Sequence, residues 1–156
     1  MLIRIAQAKP SDAPLVADLV GELLQEIMTA IGAEAFGFSR AETEARARRW
    51  LTAGTYTVLL AYYDEAAAGF LALSESRSLY AEGTFGTIPE LYVRPAFRSC
   101  NLGTGLVAEA TKLSRARGWT RLEVTTPPLP QFDRALAFYE RQGFSISGGR
   151  KMKLSL

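Results

Sequence analysis

Histidine is missing from all 156 residues. That absence removes Ser–His and Cys–His pairs as nucleophile machinery, and with them the imidazoles on which catalytic zinc sites mostly rely. Cysteine is nearly missing as well. Cys100 stands alone, so the chain forms no internal disulfide, a usage that fits the reducing cytoplasm. Long apolar runs are lacking: none approaches the roughly 18 residues of a membrane span. The opening MLIRIAQAKP turns polar by Gln7, which is not how a secretory signal reads. No repeat or low-complexity tract interrupts the chain. With 48% hydrophobic and 22% charged residues, the composition excludes a disordered polymer and suits one globular domain over 1–156.

Acidic residues are absent from one particular stretch, between Glu90 and Glu109. The net charge of +2 conceals a division to which that gap belongs. Residues 1–89 carry 7 basic and 11 acidic side chains, whereas residues 90–156 carry 11 basic and 5 acidic. Scatter of solvated surface charge accounts for such a split as well as function does. Read functionally, it is an anion-binding C-terminal half facing an acidic half that suits a cation. A nucleic-acid-binding module is disfavoured, because the arginines and lysines form no stripe interleaved with exposed aromatics.

The pattern along the chain is that of a mixed α/β protein. Segment 2–8 alternates like a strand, and Ser11, Asp12 and Pro14 punctuate the start of a helix. Along it Leu15, Val16, Leu19, Val20, Leu23, Leu24, Ile27, Met28 and Ile31 recur at helical spacing, a core stripe. Ser39 and Glu42 form a capping box for a second helix running to about Leu51. Tyr56–Tyr63 and Ala68–Glu75, joined through Asp64–Glu65, read as a β-hairpin. A loop over 76–83 leads into a strand reaching Val93, where Pro95 stops the ladder. A helix from Asn101 to Arg117 ends at Gly118, and Arg121–Thr126 is a short strand closed by prolines. A last helix from about Asp133 to Gln142 precedes one or two strands in Phe144–Ile146 and Arg150–Leu156. The strand–helix–strand unit over 87–126 predicts a right-handed crossover between parallel strands.

Chemistry concentrates in LYVRPAFRSCNLGTGLV, Leu91 to Val107. Arg94 and Arg98 lie in a loop before a helix whose opening holds Gly103 and Gly105, with no acid to cancel the positive end of the helix dipole. Free N–H groups at a helix start, glycines that admit a ligand and a nearby arginine make an anion cradle. The string GTGLVA formally matches the dinucleotide fingerprint, but a proline and a long loop separate it from the preceding strand, and too little chain follows for a doubly wound sheet. The set Val93, Pro95, Arg98, Asn101 and Gly103 instead resembles the Arg-x-x-Gly-x-Gly signature of the Gcn5-related N-acetyltransferase (GNAT) family. Asn101 replaces the first family glycine, and asparagine is the side chain that best tolerates the left-handed backbone required there. A second signature is similar too: Ala135, Tyr139, Gly143 and Phe144 match, with Phe132 where the family has asparagine.

The resemblance implies a GNAT-like, mostly antiparallel sheet of six to seven strands flanked by about four helices, with the parallel crossover at an acetyl-CoA site. It implies that Leu91, Tyr92 and Val93 pair with the pantetheine arm, and that Arg98, Ser99, Cys100, Asn101, Leu102, Gly103, Thr104 and Gly105 hold the pyrophosphate. Acetyl-CoA is then a cosubstrate and no metal is needed. Attack on a thioester requires a neutral amine, a polarised carbonyl and a proton for the leaving thiolate. With histidine gone, Glu90, at the end of the strand entering the loop, is the candidate base. Tyr139, whose phenol titrates near 10, is the candidate acid, as the family's matching tyrosine implies. A backbone N–H near Val93 would polarise the carbonyl. Cys100 lacks a neighbouring base and is discounted as a nucleophile. Trp50, Phe36, Phe38, Tyr80 and Tyr92 are candidates for acceptor contacts, though large aromatics fill cores at least as often.

The resulting expectation is a cytoplasmic N-acetyltransferase acting on a primary amine of a small molecule by direct attack in a ternary complex. Neither nucleic acid nor membrane is an expected partner, and a homodimer is left open. The alternatives are a noncatalytic acyl-CoA sensor, or an enzyme that acetylates a protein or peptide amine.

Overall fold

The computed structural model describes residues 2–80 and 83–156. Strand β1 (Ile3–Gln7) is followed by helices α1 (Ala13–Ile31) and α2 (Arg40–Ala53). The α1 stripe is as the periodicity predicts: Val16, Leu19, Leu23 and Ile27 are buried, and Gly32 closes the helix at φ 68°. Ser39 caps α2 by accepting from the Glu42 N–H, yet α2 buries no residue of its own. It rides on α1, tied there by Arg40 to Asp18 at 2.7 Å.

Strands β2 (Thr57–Tyr63) and β3 (Ala66–Ser78) form the predicted hairpin. Asp64 and Glu65 turn it with φ of 47° and 66°, the double left-handed geometry that matches strand twist. The same turn fastens β1: Asp64 accepts from the Leu2 N–H at 2.7 Å and Glu65 pairs with Arg4 at 2.8 Å.

The strand expected to reach Val93 without a break is divided into β4 (Gly83–Ile88) and β5 (Leu91–Val93). Both pair antiparallel with β3, but Ser74 lies opposite Thr87 while Leu71 lies opposite Leu91. One extra residue sits between those pairs, so Pro89–Glu90 is a bulge. Proline explains the place, since it has no N–H to give the ladder. The expected loop over 76–83 is correspondingly shorter, with β3 extending to Ser78.

Helix α3 (Leu102–Ala116) then crosses to β6 (Leu122–Val124), which runs parallel to β4 with Gly86 opposite Leu122. The parallel pairing of the strand–helix–strand unit is as predicted. Helix α4 (Asp133–Arg141) follows. The sheet order is β1-β2-β3-β4-β6, with β5 on β3. The expected strands in 144–146 and 150–156 are not formed. The alternating side chains are there, but the segment has no ladder partner, and Ile146, Met152, Leu154 and Leu156 are exposed. The six strands among the described residues are reached by the division of one.

Each face of the sheet has its own core. Val58, Leu60, Phe70, Ala72 and Tyr92 meet α1; Leu59, Ala61, Leu71, Leu73 and Ile88 meet α3. The two-residue alternation sorts them.

Candidate active site

The α3 N-terminus is built as the anion cradle requires. Ser99 and Asn101 both have left-handed backbones, φ 70° and 63°, and Asn101 is the residue from which the helix springs. Asparagine stands in for glycine there at modest cost. The first intrahelical bond runs from the Gly105 N–H to the Asn101 carbonyl at 3.0 Å. That leaves the N–H groups of Leu102, Gly103 and Thr104 unused by the helix; no side chain caps them, and the first turn holds no acid. Their partial positive charge is available to a phosphate.

The glycines have a second duty beyond admitting a ligand. A Cβ on Gly103 would stand 3.2 Å from the Phe138 ring, and one on Gly105 would stand 3.1 Å from Ile5. Bare helix surface thus lets α4 and β1 seat against α3. Gln142, just past α4, adds a bond to Thr104 at 3.2 Å.

The loop arginines turn away from this cradle towards α1. Arg94 makes a fork on Glu22 (3.0 and 2.9 Å) and bonds the Ala67 carbonyl at 3.0 Å. Arg98 donates to the Val93 carbonyl at 2.8 Å and to Glu26 at 2.7 Å. Four residues that the sequence places in separate halves are therefore two ion pairs between α1 and the loop, and Arg98 is engaged by an acid rather than held open for phosphate. Spacing along the chain gave no sign of either pairing.

Strand β5 offers a backbone edge. The Glu90 carbonyl accepts from the Ala72 N–H and the Arg94 N–H donates to the Ala68 carbonyl, so by alternation Leu91 and Val93 turn their polar groups away from β3. Gly69 permits the tight β3–β5 approach, since a Cβ there would meet the Tyr92 carbonyl at 2.4 Å. Strand β6 pairs with β4 only, so no strand among the described residues covers that edge of β5.

Beside the bulge, the part-buried Glu90 carboxylate accepts a hydrogen bond at Oε2 from the Tyr56 hydroxyl. Desolvation raises the Glu90 pKa, and the Tyr56 bond opposes part of that rise. Burial first, then the charge of Glu90, push the Tyr56 phenol far above its ordinary range. Tyr56 stacks at a tilt on Trp50, ring centres 5.2 Å apart. The sequence reading assigned Tyr56 only to a strand; nothing in the local pattern marks its hydroxyl, and its partner is 34 residues away.

Tyr139 is a buried side chain on α4, set edge-on against Phe138 and Phe144 at 5.4 and 5.6 Å. Burial pushes its phenol up to about 12, so it keeps its proton through the neutral range. Cys100 packs against the α3-side core. Phe132 packs with the α1-side core, whereas Phe138 and Phe144 join the α3-side core, so the start of α4 reaches both faces. Of the aromatics considered for acceptor contacts, Phe36, Phe38 and Trp50 are partly exposed around α1 and α2. Tyr92 is core and Tyr80 stands out in solvent at 85% exposure. Among the described residues no group of His, Cys, Asp and Glu could hold a metal, and no helix is long and apolar enough to cross a membrane.

The model of the acetyltransferase (GNAT) family matches residues 22–144. Among solved structures, a predicted acetyltransferase with acetyl-CoA from Clostridium acetobutylicum shares 16% identity, covering 99% of this chain and 96% of that one at a TM-score of 0.80. An aminoglycoside acetyltransferase from an uncultured soil metagenomic sample, in complex with trehalose, shares 17% with the same coverage, TM-score 0.77. A ribosomal-protein-alanine N-acetyltransferase from Brucella melitensis biovar Abortus 2308 shares 19%, covering 99% and 100%, TM-score 0.74. No curated protein matches the sequence.

Proposed function

The chain belongs to the GNAT family of acetyltransferases, and on that footing we propose that it moves an acetyl group from acetyl-CoA to a primary amine of a small molecule. It acts in the cytoplasm as one domain over 1–156, by direct attack within a ternary complex. The observation carrying the reading is the uncapped α3 N-terminus joined through the Arg98 loop to the open edge of β5. These are the two things a pantetheine pyrophosphate needs, an anion cradle and a backbone edge for its amides.

The residues divide the work. The N–H groups of Leu102, Gly103 and Thr104 bind the pyrophosphate, and Leu91 and Val93 align the arm. The Val93 N–H polarises the thioester carbonyl. Glu90 takes a proton as the amine nitrogen bonds to the carbonyl carbon. Its buried carboxylate is a stronger base than a solvated one, which supports the role. As the C–S bond breaks, Tyr139 gives its phenol proton to the sulfur and is reprotonated from solvent. The acidic balance of residues 1–89 supports a cationic acceptor.

The test is thiol release from acetyl-CoA across a panel of polyamines, aminoglycosides, amino acids, peptide N-termini and protein lysines. Turnover with a small amine and none with peptides or proteins is the expected result. Preference for a peptide or protein amine overturns the acceptor class while leaving the transfer chemistry intact.

A further inference from the structure

We propose that Tyr56 is a positioning residue for the proton-accepting carboxylate, fixing Glu90 through Oε2 and leaving Oε1 as its free acceptor. The inference rests on the base role given to Glu90 above.

The geometry sets this pair apart from the molecule's other carboxylate contacts. Its salt bridges are exposed apart from the part-buried Arg94–Glu22 fork. The Tyr56–Glu90 contact is part-buried and joins a neutral donor to an acid, as do Tyr92–Glu22 and Trp119–Glu75. Glu22 and Glu75 each also pair with an arginine, whereas among the described residues Glu90 has Tyr56 as its side-chain partner. Glu90 borders the bulge: its carbonyl bonds the Ala72 N–H, which places its backbone, but strand pairing does not fix the side-chain torsions that aim the carboxylate. Something else must fix it. Tyr56 is suited to that, because its ring is packed and the backbone beside it is anchored. Trp50 of α2 packs on it, and the next residue, Thr57, is buried and accepts from Arg117 of α3 at 2.9 Å. Among the described residues Tyr56 is the titratable group acting on Glu90. The α1 acids Glu22 and Glu26 are engaged by Arg94 and Arg98.

A hydroxyl on Oε2 favours the ionised carboxylate, whereas burial favours the neutral one. In Tyr56→Phe the ring and its packing remain and only burial acts. The acid limb of the kcat/KM profile should therefore move to higher pH, by about 1–2 units for a lost hydrogen bond to a charged group. Glu90→Gln, run beside it, should lower the rate at least tenfold and abolish that limb. Glu90→Asp withdraws the carboxylate from the hydroxyl without disturbing the Trp50 contact. It should shift the limb in the same direction, and it supplies the reading if Tyr56→Phe does not fold. An unmoved limb in Tyr56→Phe, with Glu90→Gln impaired and limbless, overturns the positioning role alone. Full activity with an intact limb in Glu90→Gln overturns the base assignment itself.

Discussion

Tyr139 and Glu90 are two weak acids shifted in the same direction by the same cause, the loss of water around them, and the proposed reaction would use opposite forms of each. The Tyr139 phenol, at about 12, is protonated through the neutral range, the form that the proposed donor role needs. Tyr139→Phe keeps the ring and its edge contacts with Phe138 and Phe144 but removes the proton. A fall in kcat of about 10²–10⁴-fold with an unchanged CoA dissociation constant is expected, from steady-state kinetics beside calorimetry. A rate within about threefold of wild type, with chemistry rate-limiting, would assign the proton to water instead. For Glu90 the sign is the reverse of the usual carboxylate. Because its folded pKa is raised, protonation favours the native state, and that advantage is lost as pH rises through the folded value. Glu90→Gln, which can still accept from Tyr56, should therefore melt higher than wild type at pH 7–8. The gap should close below the ordinary carboxylate value near 4.5. Equal melting temperatures at both ends would show that burial of the charge costs nothing.

At the scale of elements, the decisive feature is how the loop 94–101 is lashed to α1. Arg98 spans Val93 and Glu26, so the residue preceding the cradle is already committed before any phosphate arrives. If its guanidinium helps hold pyrophosphate, it must leave Glu26 to do so. An exposed pair of this kind stabilises by up to about 1 kcal/mol. Glu26→Gln should accordingly tighten CoA by as much as about fivefold, whereas Arg98→Ala should weaken it by about 1.5–3 kcal/mol through loss of a charged hydrogen bond. Calorimetric titration separates the outcomes. If neither variant changes CoA affinity, the backbone N–H groups bind the phosphates unaided and Arg98 only braces β5. The same element shows why Asn101 is compatible with the family turn: its φ of 63° is the left-handed region where a β-branched or bulky residue would be strained.

Across the whole molecule, the charge division becomes a geometry. The basic C-terminal half supplies the loop 94–101 and α3, and the acidic N-terminal half supplies α1 with Asp18, Glu22 and Glu26, although α2 itself carries four arginines against two glutamates. Salt should therefore act with one sign on both substrates. Raising ionic strength from about 0.05 to 0.5 M shortens the screening length to a few ångströms. It should raise the CoA dissociation constant and also the KM of a cationic amine, with kcat less affected. An amine KM indifferent to salt would mean that the acidic half is ordinary surface.

Much of this was legible in the sequence because local rules decide it. The α1 stripe, the Ser39 cap, the Asp64–Glu65 turn and the α3 start depend on residues within one or two turns of each other, so periodicity and backbone preference suffice. The resemblance supplied Tyr139 and the loop 98–105 for the same reason, as contiguous strings. What the sequence could not reveal depends on contacts between distant segments. Tyr56 on Glu90, and Arg98 on Glu26, join residues 34 and 72 positions apart, and no spacing rule encodes such a meeting. The bulge at Pro89 was readable in principle, from a proline in a strand. The C-terminal segment shows the limit from the other side. Its alternation is a true strand signal, but a strand exists only when a neighbouring edge completes its hydrogen bonds, and that edge is a property of the tertiary structure.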